Sequence, residues 1–419
     1  MRAIPGNEAI IGELSRVIPR QLFPLVVIVV SLAACGGPEP TPTPLPTATP
    51  IPTATPTATP TPTPATVLPD IDVTSELVAL ANFPVAMAFA PDGRLFYNEL
   101  QSGNIRVLAQ GETRPFAQVK VLACIEFGLL GLATDPEFQD NHYVYVYFIE
   151  PVADRDDIGH PVIVRFTDVD GKGEDPVVIV GDLPNTTEVC AHVGGNLHFG
   201  PNGYLYVSIG DMQFWDPNQA QDLGSLRGKI LRINKGDGSA APGNPFADDP
   251  GADPRVFAYG LRNTFDFTFH PQRGTLYAPD NGMGNCDELN VIEAGQDHGH
   301  PLASFAEEYP PCFERAGVRP IYLYSRPGMR PETFTSNVAP TGVHFVSAEV
   351  YPSLGEALLA CEFNTGLMRR LHLAGPALDR VDDDSIVVED CGLDITTDPQ
   401  GVIYYSNLEE IRRLVPSSP

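Results

Sequence analysis

The chain has 419 residues, seven cysteines and a formal net charge of −27 at pH 7. So negative a protein is poorly suited to binding nucleic acid or anionic lipid head groups, because both partners are also negatively charged. No two cysteines have the Cys-x-x-Cys spacing of structural zinc sites, so we do not expect zinc.

Residues 1–35 predict a bacterial lipoprotein signal peptide. Arg16 and Arg20 precede an apolar run over residues 22–32, and small residues follow up to Cys35. A membrane-spanning helix is the alternative, but it needs about 20 apolar residues and this run is much shorter. We therefore expect an exported protein, attached by a lipid on Cys35 to the outside of the bacterial cytoplasmic membrane or held in the periplasm.

Residues 36–65 predict a disordered linker, because they are almost wholly Pro, Thr and Ala. Proline fixes φ and has no N–H donor, so such a segment stays extended and unpacked. The remaining residues, 66–419, contain no second linker of this kind and predict one domain. They are many for one ordinary core, but circular repeat folds reach this size.

A hairpin pattern recurs six times in this region. Each copy has two runs of alternating apolar residues around a turn that contains Pro or Gly. The copies span residues 88–97, 132–148, 192–211, 267–278, 342–361 and 395–405. Outer strands with a basic residue beside apolar ones follow several copies, at residues 104–108, 229–233, 367–371 and 411–414. Because a single hairpin cannot bury its own faces, the copies must pack on one another. The pattern predicts an all-β, six-bladed β-propeller; a sandwich or barrel would not predict a repeat.

The third copy carries the first candidate site. His192 and Asp211 are at the two outer ends of one predicted hairpin, which brings them close together. An imidazole whose tautomer is held by a carboxylate is suited to act as a general base. The alternative is that His192 only caps a strand and Asp211 a loop.

Further polar residues occupy equivalent positions in the next copy. Arg262 and Asn263 precede its first strand, and a Gly-rich loop at residues 280–284 follows its second strand. Loops on one face of a propeller converge on the central channel. One face should therefore carry a base, a carboxylate, a guanidinium, an amide and free backbone carbonyls.

Several motifs in this order resemble the glucose/sorbosone dehydrogenase family, soluble quinoproteins that oxidise sugars with pyrroloquinoline quinone (PQQ) and calcium. The motifs lie at residues 128–132, 135–138, 192–211, 225–232, 259–263 and 287–290. The resemblance implies that His192 takes the substrate's hydroxyl proton while hydride passes to the quinone, and that Asp211 supports this histidine.

The same resemblance implies the residues that hold the cofactor and the metal. Arg262, Asn263, Glu126 and Asn364 fall at cofactor-binding positions, and the loop containing Gly282 and Met283 supplies backbone carbonyls to calcium, a cation that accepts neutral oxygens readily. The chain departs from the family in three places: Met283 follows Gly282 where the family usually has proline, Asn364 replaces a lysine that pairs with the cofactor, and Cys391 and Leu393 replace two arginines that hold its carboxylates. Other cations that could substitute are Arg326, Arg330 and Arg369. Each charged contact is worth about 1.5–3 kcal/mol.

The cysteines predict disulfides, as expected for an exported protein. Six remain after Cys35, which allows fifteen connectivities. Proximity in the sequence favours Cys286–Cys312 and Cys361–Cys391, leaving Cys124–Cys190.

Three functions are open at this point. The first is a dehydrogenase that acts on a small-molecule sugar or alcohol and passes electrons to an external acceptor. The second is a non-catalytic propeller that binds a ligand or partner after losing the quinone. The third is a calcium-dependent lactonase, which would need Asp280, Asn263 and Glu99 around a central metal. Two further histidines, His298 and His300, are interpreted as loop residues.

Overall fold

Short runs of β-branched and aromatic residues, separated by Gly, Pro, Asn and Asp, form strands along almost the whole described chain. A computed structural model describes residues 66–67, 72–153, 155, 157–212, 217–282, 286–300, 317–330 and 336–416. These residues belong to one compact unit, residues 60–419. The predicted signal peptide and the whole predicted linker lie outside the described residues, as does Met283.

Twenty-five strands and two short helices occur in the described residues. In chain order the strands are β1 (Thr66–Val67), β2 (Val73–Leu80), β3 (Pro84–Phe89), β4 (Leu95–Glu99), β5 (Asn104–Ala109), β6 (Glu112–Gln118), β7 (Leu129–Thr134), β8 (Tyr143–Pro151), β9 (Gly159–Val169), β10 (Lys172–Val180), β11 (Gly194–Phe199), β12 (Leu205–Ile209), β13 (Lys229–Ile233), β14 (Val256–Tyr259), β15 (Thr268–Phe269), β16 (Leu276–Asp280), β17 (Glu288–Ile292), β18 (Tyr322–Leu323), β19 (Pro340–Val346), β20 (Ala357–Glu362), β21 (Met368–Ala374), β22 (Arg380–Val388), β23 (Ile395–Thr397), β24 (Ile403–Ser406) and β25 (Glu410–Pro416). The helices are α1 (Phe138–Asn141) and a 3-10 turn at Pro217–Ala220. No helix among the described residues is long and apolar enough to cross a membrane.

The strands form six sheets, which confirms the predicted six-bladed β-propeller. Four sheets are meanders of consecutive strands, β3 to β6, β7 to β10, β11 to β14 and β15 to β18. The fifth sheet contains β19 to β22 with β1 paired in parallel at its edge. The sixth contains β23 to β25 and is completed by β2 from the start of the domain, with Val73 opposite Pro416. Strands from the two ends of the domain thus share one sheet, which closes the ring.

The six predicted hairpins are the first two strands of the six sheets, and the predicted outer strands are β5, β13, β21 and β25. In the third sheet β11 and β12 pair from Gly194 opposite Ile209 to Phe199 opposite Leu205. The turn between them needs a glycine, because Gly203 has a φ of 78°.

Apolar packing between neighbouring blades forms the core. Between the first two blades, Phe116 of β6 and Phe166 of β9 meet edge to face with ring centroids 6.4 Å apart. Buried polar groups join the inner strands as well. The carboxylate of Asp266 accepts hydrogen bonds from the side chain of His198 (2.7 Å) and from the backbone N–H of Val343 (2.9 Å). It therefore ties the third and fifth blades to the fourth.

Two of the three predicted disulfides are confirmed. Cys124 is joined to Cys190 and Cys361 to Cys391, with Cα atoms 5.7 and 5.1 Å apart. Cys286 is also in a disulfide. Its predicted partner, Cys312, lies outside the described residues.

Candidate active site

The ends of the β11–β12 hairpin bring His192 and Asp211 into contact. The Nδ1 atom of His192 lies 2.8 Å from Oδ1 of Asp211. The backbone there is tight: His192 has a φ of 57°, and a Cβ at Gly210 would lie 2.0 Å from the carbonyl oxygen of His192. Only glycine fits at position 210 without displacing the histidine.

A neighbouring arginine defines the tautomer of His192. The Nη2 atom of Arg262 lies 2.9 Å from Nε2 of His192. A guanidinium has only donors, so Nε2 must be the accepting nitrogen and Nδ1 must carry the hydrogen that is donated to Asp211. His192 is therefore a neutral imidazole with its lone pair on Nε2, which is the form a general base requires.

Asp211 also accepts a hydrogen bond from a second histidine. Its Oδ2 atom lies 2.9 Å from Nε2 of His300. Burial would raise the pKa of the Asp211 carboxyl, but the hydrogen bonds from His192 and His300 hold that pKa well below its ordinary value. His300 is in a loop, as predicted, but its place in the site was missed. No local pattern could have revealed it, because 89 residues separate it from Asp211.

The next blade fixes the backbone of Arg262 and Asn263. Both backbone N–H groups donate to the carboxylate of Asp280, at 2.9 and 2.8 Å, and the hydroxyl of Thr264 donates to it at 3.0 Å. Burial raises the pKa of Asp280, although these donors oppose that shift. The oxygens of Asp280 are thus engaged in holding the loop.

Glu126 connects the base to Asn263. Its Oε2 atom accepts hydrogen bonds from the backbone N–H of His192 (2.7 Å) and from Nδ2 of Asn263 (3.2 Å). The Cys124–Cys190 disulfide joins the two segments that carry Glu126 and His192, and the N–H of Glu126 donates to the carbonyl of Cys190 at 3.2 Å. Two cross-links therefore hold this part of the site together.

The side chain of Arg262 is buried, and its described hydrogen bonds all go to neutral groups. Its Nη1 atom donates to the carbonyls of Asn281 and Gly282, at 2.7 and 2.9 Å, and its Nη2 atom faces His192. All three acceptors are neutral, and among the described residues Arg262 makes no ion pair. A buried cation is normally paired with a negative charge. The site is therefore suited to an anionic ligand.

Neutral oxygens of the type that calcium accepts lie beside this guanidinium. The carbonyl of Gly282 already accepts from a cation, and Oδ1 of Asn281 is buried with no hydrogen-bond partner in the described part of the chain. The N–H of Gly282 donates to Asp287 at 2.9 Å, and burial raises the pKa of Asp287 to about 6. No group of three or more His, Cys, Asp or Glu side chains that could hold a metal occurs among the described residues.

Three positions at which the family has cations that hold the cofactor, here called the cationic clamp, carry uncharged residues in this chain. Cys391 and Leu393 are fully buried, and Cys391 is in a disulfide. Asn364 is exposed, and its side chain donates to the side chain of Asn337. The clamp cations are therefore absent from these three positions.

The three candidate replacement cations differ in their surroundings. Arg369 is buried and paired with Glu362 and Asp384, at 2.5 and 2.6 Å, so its charge is neutralised. Arg330 is exposed. Arg326 is half-buried, and its Nε atom donates to the carbonyl of Asn337, the residue that contacts Asn364. Of the three, Arg326 alone is placed by described contacts next to the missing lysine.

Of the three residues required for the lactonase, the described contacts join two. The backbone N–H of Asn263 donates to Asp280 at 2.8 Å. The carboxylate of Glu99 accepts from the side chains of Ser102 and Asn104 and pairs with Arg106 at 3.3 Å. No described hydrogen bond or ion pair connects Glu99 to the other two, so the described contacts give the lactonase hypothesis no support.

Comparison with known proteins agrees with the resemblance seen in the sequence. A model of a family described as glucose/sorbosone dehydrogenase matches residues 81–415. Aldose sugar dehydrogenase YliI of Escherichia coli is 26% identical over 371 residues, 85% of this chain and 94% of that protein. A crystal structure of a Thermus thermophilus oxidoreductase (glucose dehydrogenase) has a TM-score of 0.69 and 29% identity, and the match covers 82% of this chain and all of that one. The PQQ-bound aldose sugar dehydrogenase of Streptomyces coelicolor has a TM-score of 0.65 at 24% identity, over 83% of this chain and 99% of that one, which shows the shared fold.

Proposed function

Because the chain belongs to the glucose/sorbosone dehydrogenase family, we propose that it is a PQQ- and calcium-dependent dehydrogenase that oxidises an aldose or a related alcohol. The observation that supports the proposal is the buried guanidinium of Arg262, which makes no ion pair among the described residues and lies directly against Nε2 of His192. A cation that can bind an anion therefore lies beside the candidate general base.

His192 is the base in this mechanism. Its Nε2 atom takes the proton of the substrate hydroxyl, and Asp211 stabilises the imidazolium that forms because its carboxylate already accepts the Nδ1 hydrogen. Positioned general-base assistance of this kind contributes about 10²- to 10⁴-fold to a rate. When bound, the quinone supplies the hydride acceptor. With such an acceptor bound, removal of the hydroxyl proton by Nε2 of His192 would complete the loss of two electrons and two hydrogens that alcohol oxidation requires.

Arg262 and Asn263 hold the cofactor in this proposal, and Glu126 fixes both Asn263 and the backbone of the base. Arg326 takes the role of the missing clamp. Its Nη1 and Nη2 atoms make no hydrogen bond or ion pair among the described residues, so its charge is available to a carboxylate. Arg262 and Arg326 are fewer cations than the family uses to hold the cofactor. We therefore expect weaker cofactor binding than in the family, since each charged contact contributes about 1.5–3 kcal/mol.

Calcium is held by backbone carbonyls in this proposal. Gly282 supplies one, Met283 is the second expected ligand, and Oδ1 of Asn281 is a further neutral oxygen that is buried without a partner among the described residues. Calcium favours such oxygen ligands. Its charge would also offset that of an anionic cofactor.

The test is a titration of the purified protein with PQQ, with and without calcium, followed by addition of an aldose and a dye as electron acceptor. Calcium-dependent binding at micromolar or lower concentration with dye reduction supports the dehydrogenase. Absence of binding at high PQQ concentration contradicts it.

A specific observation favours a second candidate, a non-catalytic propeller that binds a ligand or partner. The two arginine positions of the family's clamp are a buried disulfide cysteine and a buried leucine, Cys391 and Leu393. The same titration separates the two functions, because a propeller that has lost its cofactor binds neither PQQ nor calcium at this site.

We also propose a location for the protein in the cell. A lipid on Cys35, followed by the Pro/Thr-rich linker, would attach the domain outside the bacterial cytoplasmic membrane or in the periplasm, where an external electron acceptor is available. Replacing Cys35 by Ala should move the protein from the membrane fraction to the soluble fraction. Retention in the membrane fraction would contradict the lipid anchor.

A further inference from the structure

We propose that His300 is a positioning residue for the general base, acting through the carboxylate that it shares with His192. The expected effect of His300 on kcat rests on the proposed function, whereas its effect on the tautomer of His192 can be measured without turnover.

The geometry gives Asp211 two imidazole partners on separate oxygens. Oδ1 accepts from Nδ1 of His192 at 2.8 Å, and Oδ2 accepts from Nε2 of His300 at 2.9 Å. The carboxyl has a lowered pKa and is therefore an ionised group with acceptors only, so the ring nitrogen of His300 that faces it must carry a hydrogen. With Oδ2 held by His300, the carboxylate is kept from rotating, and Oδ1 stays directed at His192.

The loop that carries His300 is itself firmly held. The N–H of His300 donates to the carbonyl of Gly260 at 2.8 Å, and its carbonyl accepts from Nε2 of Gln221 at 2.9 Å. The same Nε2 atom donates to Oδ1 of Asp297, which also accepts from the N–H of Gly299. Backbone contacts on both sides of the imidazole thus fix its position before any ligand arrives.

The backbone is packed too closely to shift. A Cβ at Gly260 would lie 2.3 Å from Oδ1 of Asp297, and a Cβ at Gly317 would lie 2.8 Å from the nitrogen of Gly299. Both glycines have positive φ, 74° and 95°. The His300 side chain, only 11% exposed, is therefore presented to Asp211 by a rigid segment, as a preorganised site requires.

The consequence concerns the tautomer of His192. Asp211 keeps the hydrogen on Nδ1 and leaves the lone pair on Nε2, where the substrate proton must arrive. Once the guanidinium of Arg262 no longer donates to Nε2, the Asp211 carboxylate alone selects the tautomer; if that carboxylate is free to turn, the Nε2–H tautomer becomes populated, and that form cannot take a proton at Nε2. Loss of His300 should therefore lower the fraction of His192 that is competent as a base.

The test compares His300→Leu, which removes the donor, with His300→Gln, which keeps an N–H donor at similar reach. The chain has nine histidines, so 15N-histidine labelling gives a spectrum in which the ring nitrogens of His192 can be assigned. The matched control is His298→Gln, in the same loop, whose ring nitrogens have no hydrogen-bond partner among the described residues.

In an Arg262→Met background, where no guanidinium donates to Nε2, we expect His300→Leu to shift His192 toward a mixture of tautomers in the cofactor-free protein. In the otherwise wild-type protein it should lower kcat about 10- to 100-fold, the effect of losing one hydrogen bond to a charged group. KM and the dissociation constant for PQQ should stay within about twofold, because no hydrogen bond joins the His300 side chain to Arg262 or Asn263 in the described part of the chain. His300→Gln should keep the His192 tautomer and kcat close to their wild-type states, and His298→Gln should leave both unchanged.

The inference is overturned if His300→Leu leaves the nitrogen shifts of His192 unchanged in the Arg262→Met background, or if Leu and Gln at position 300 reduce kcat equally. If the wild-type protein neither binds PQQ nor turns over a sugar, the proposed function fails, and the nitrogen shifts still decide the role of His300.

Discussion

The guanidinium of Arg262 donates to Nε2 of His192 across 2.9 Å, so the atom that receives the substrate proton in the proposed mechanism lies directly against a cation. A substrate hydroxyl and Nη2 of Arg262 compete for the same lone pair. An anionic ligand that draws the guanidinium away would expose the base, which links binding of the cofactor to the readiness of His192.

Replacement of Arg262 by Gln should weaken PQQ binding. The variant loses the one buried cation that touches the base, so the dissociation constant should rise about 10- to 100-fold, as for the loss of a charged hydrogen bond. Fluorescence titration with PQQ measures this. Arg114→Gln is the control, because Arg114 is exposed and pairs only with Glu112 in the described structure. Equal affinities for the Arg262 variant and the wild type would remove this residue from the cofactor site.

Replacement of His192 by Gln should separate catalysis from binding. Turnover should fall about 10²- to 10⁴-fold because the variant lacks the imidazole lone pair that takes the proton in the proposed mechanism, while PQQ and calcium still bind. Single-turnover reduction of bound PQQ by an aldose gives the rate, and a binding titration gives the affinity. Retained turnover would exclude His192 as the base.

Replacement of Arg326 by Gln tests whether this residue substitutes for the lost clamp. We expect PQQ affinity to fall about tenfold or more, because one of two available cations is removed. Arg330→Gln is the matched control: that arginine is four residues away and exposed. An unchanged affinity in the Arg326 variant, with tight binding by the wild type, would leave the proposed function intact and show that another group anchors the carboxylates.

The pH dependence of stability should report the ionised state of Asp211. Its pKa lies below the ordinary value of 3.8 because His192 and His300 donate to the charged form, with burial acting in the opposite direction. Such a group stabilises the fold above its unfolded pKa, and the contribution is lost as pH falls through the folded pKa. Asp211→Asn should therefore be less stable than wild type between about pH 5 and 8, with the difference shrinking below about pH 4.

Urea unfolding across this range measures the effect, with the exposed Asp237→Asn as the comparison for a carboxylate held only by Ser239. A stability difference that grows as the pH is lowered would have the wrong sign for an ionised Asp211.

The two described disulfides should differ in their effect on catalysis. Paired Cys→Ser substitutions at Cys124 and Cys190, 66 residues apart, or at Cys361 and Cys391, 30 residues apart, should each cost about 3–4 kcal/mol of unfolding free energy by loop entropy. Only the first pair joins the segments of Glu126 and His192, so only its loss should reduce kcat more than stability explains. Measuring kcat well below the melting temperatures of both variants separates an effect on catalysis from an effect on stability. Equal kcat values for the two variants would show that the Cys124–Cys190 disulfide has only a structural role.

The sequence predicted the fold through local pattern. Alternating apolar residues around a Pro- or Gly-containing turn recur six times, and each copy became the first two strands of a sheet, because period-two alternation depends only on neighbouring residues. The contact between His192 and Asp211 was predictable for the same reason, since one hairpin joins them. Residue-by-residue similarity to the family's motifs indicated Arg262 and Asn263, each of which the structure places beside the base.

Contacts between blades could not be obtained in this way. His300 reaches Asp211 from 89 residues away, and Glu126 reaches His192 from 66 residues away, each on a loop with no periodicity of its own. The charges of Arg326 and Arg369 look alike in the sequence, yet one is free of described ion pairs and the other is neutralised by Glu362 and Asp384. Alternation determines which face of a strand is buried, but the packing of loops at the centre of the ring decides which charges meet, because that packing depends on all six blades together.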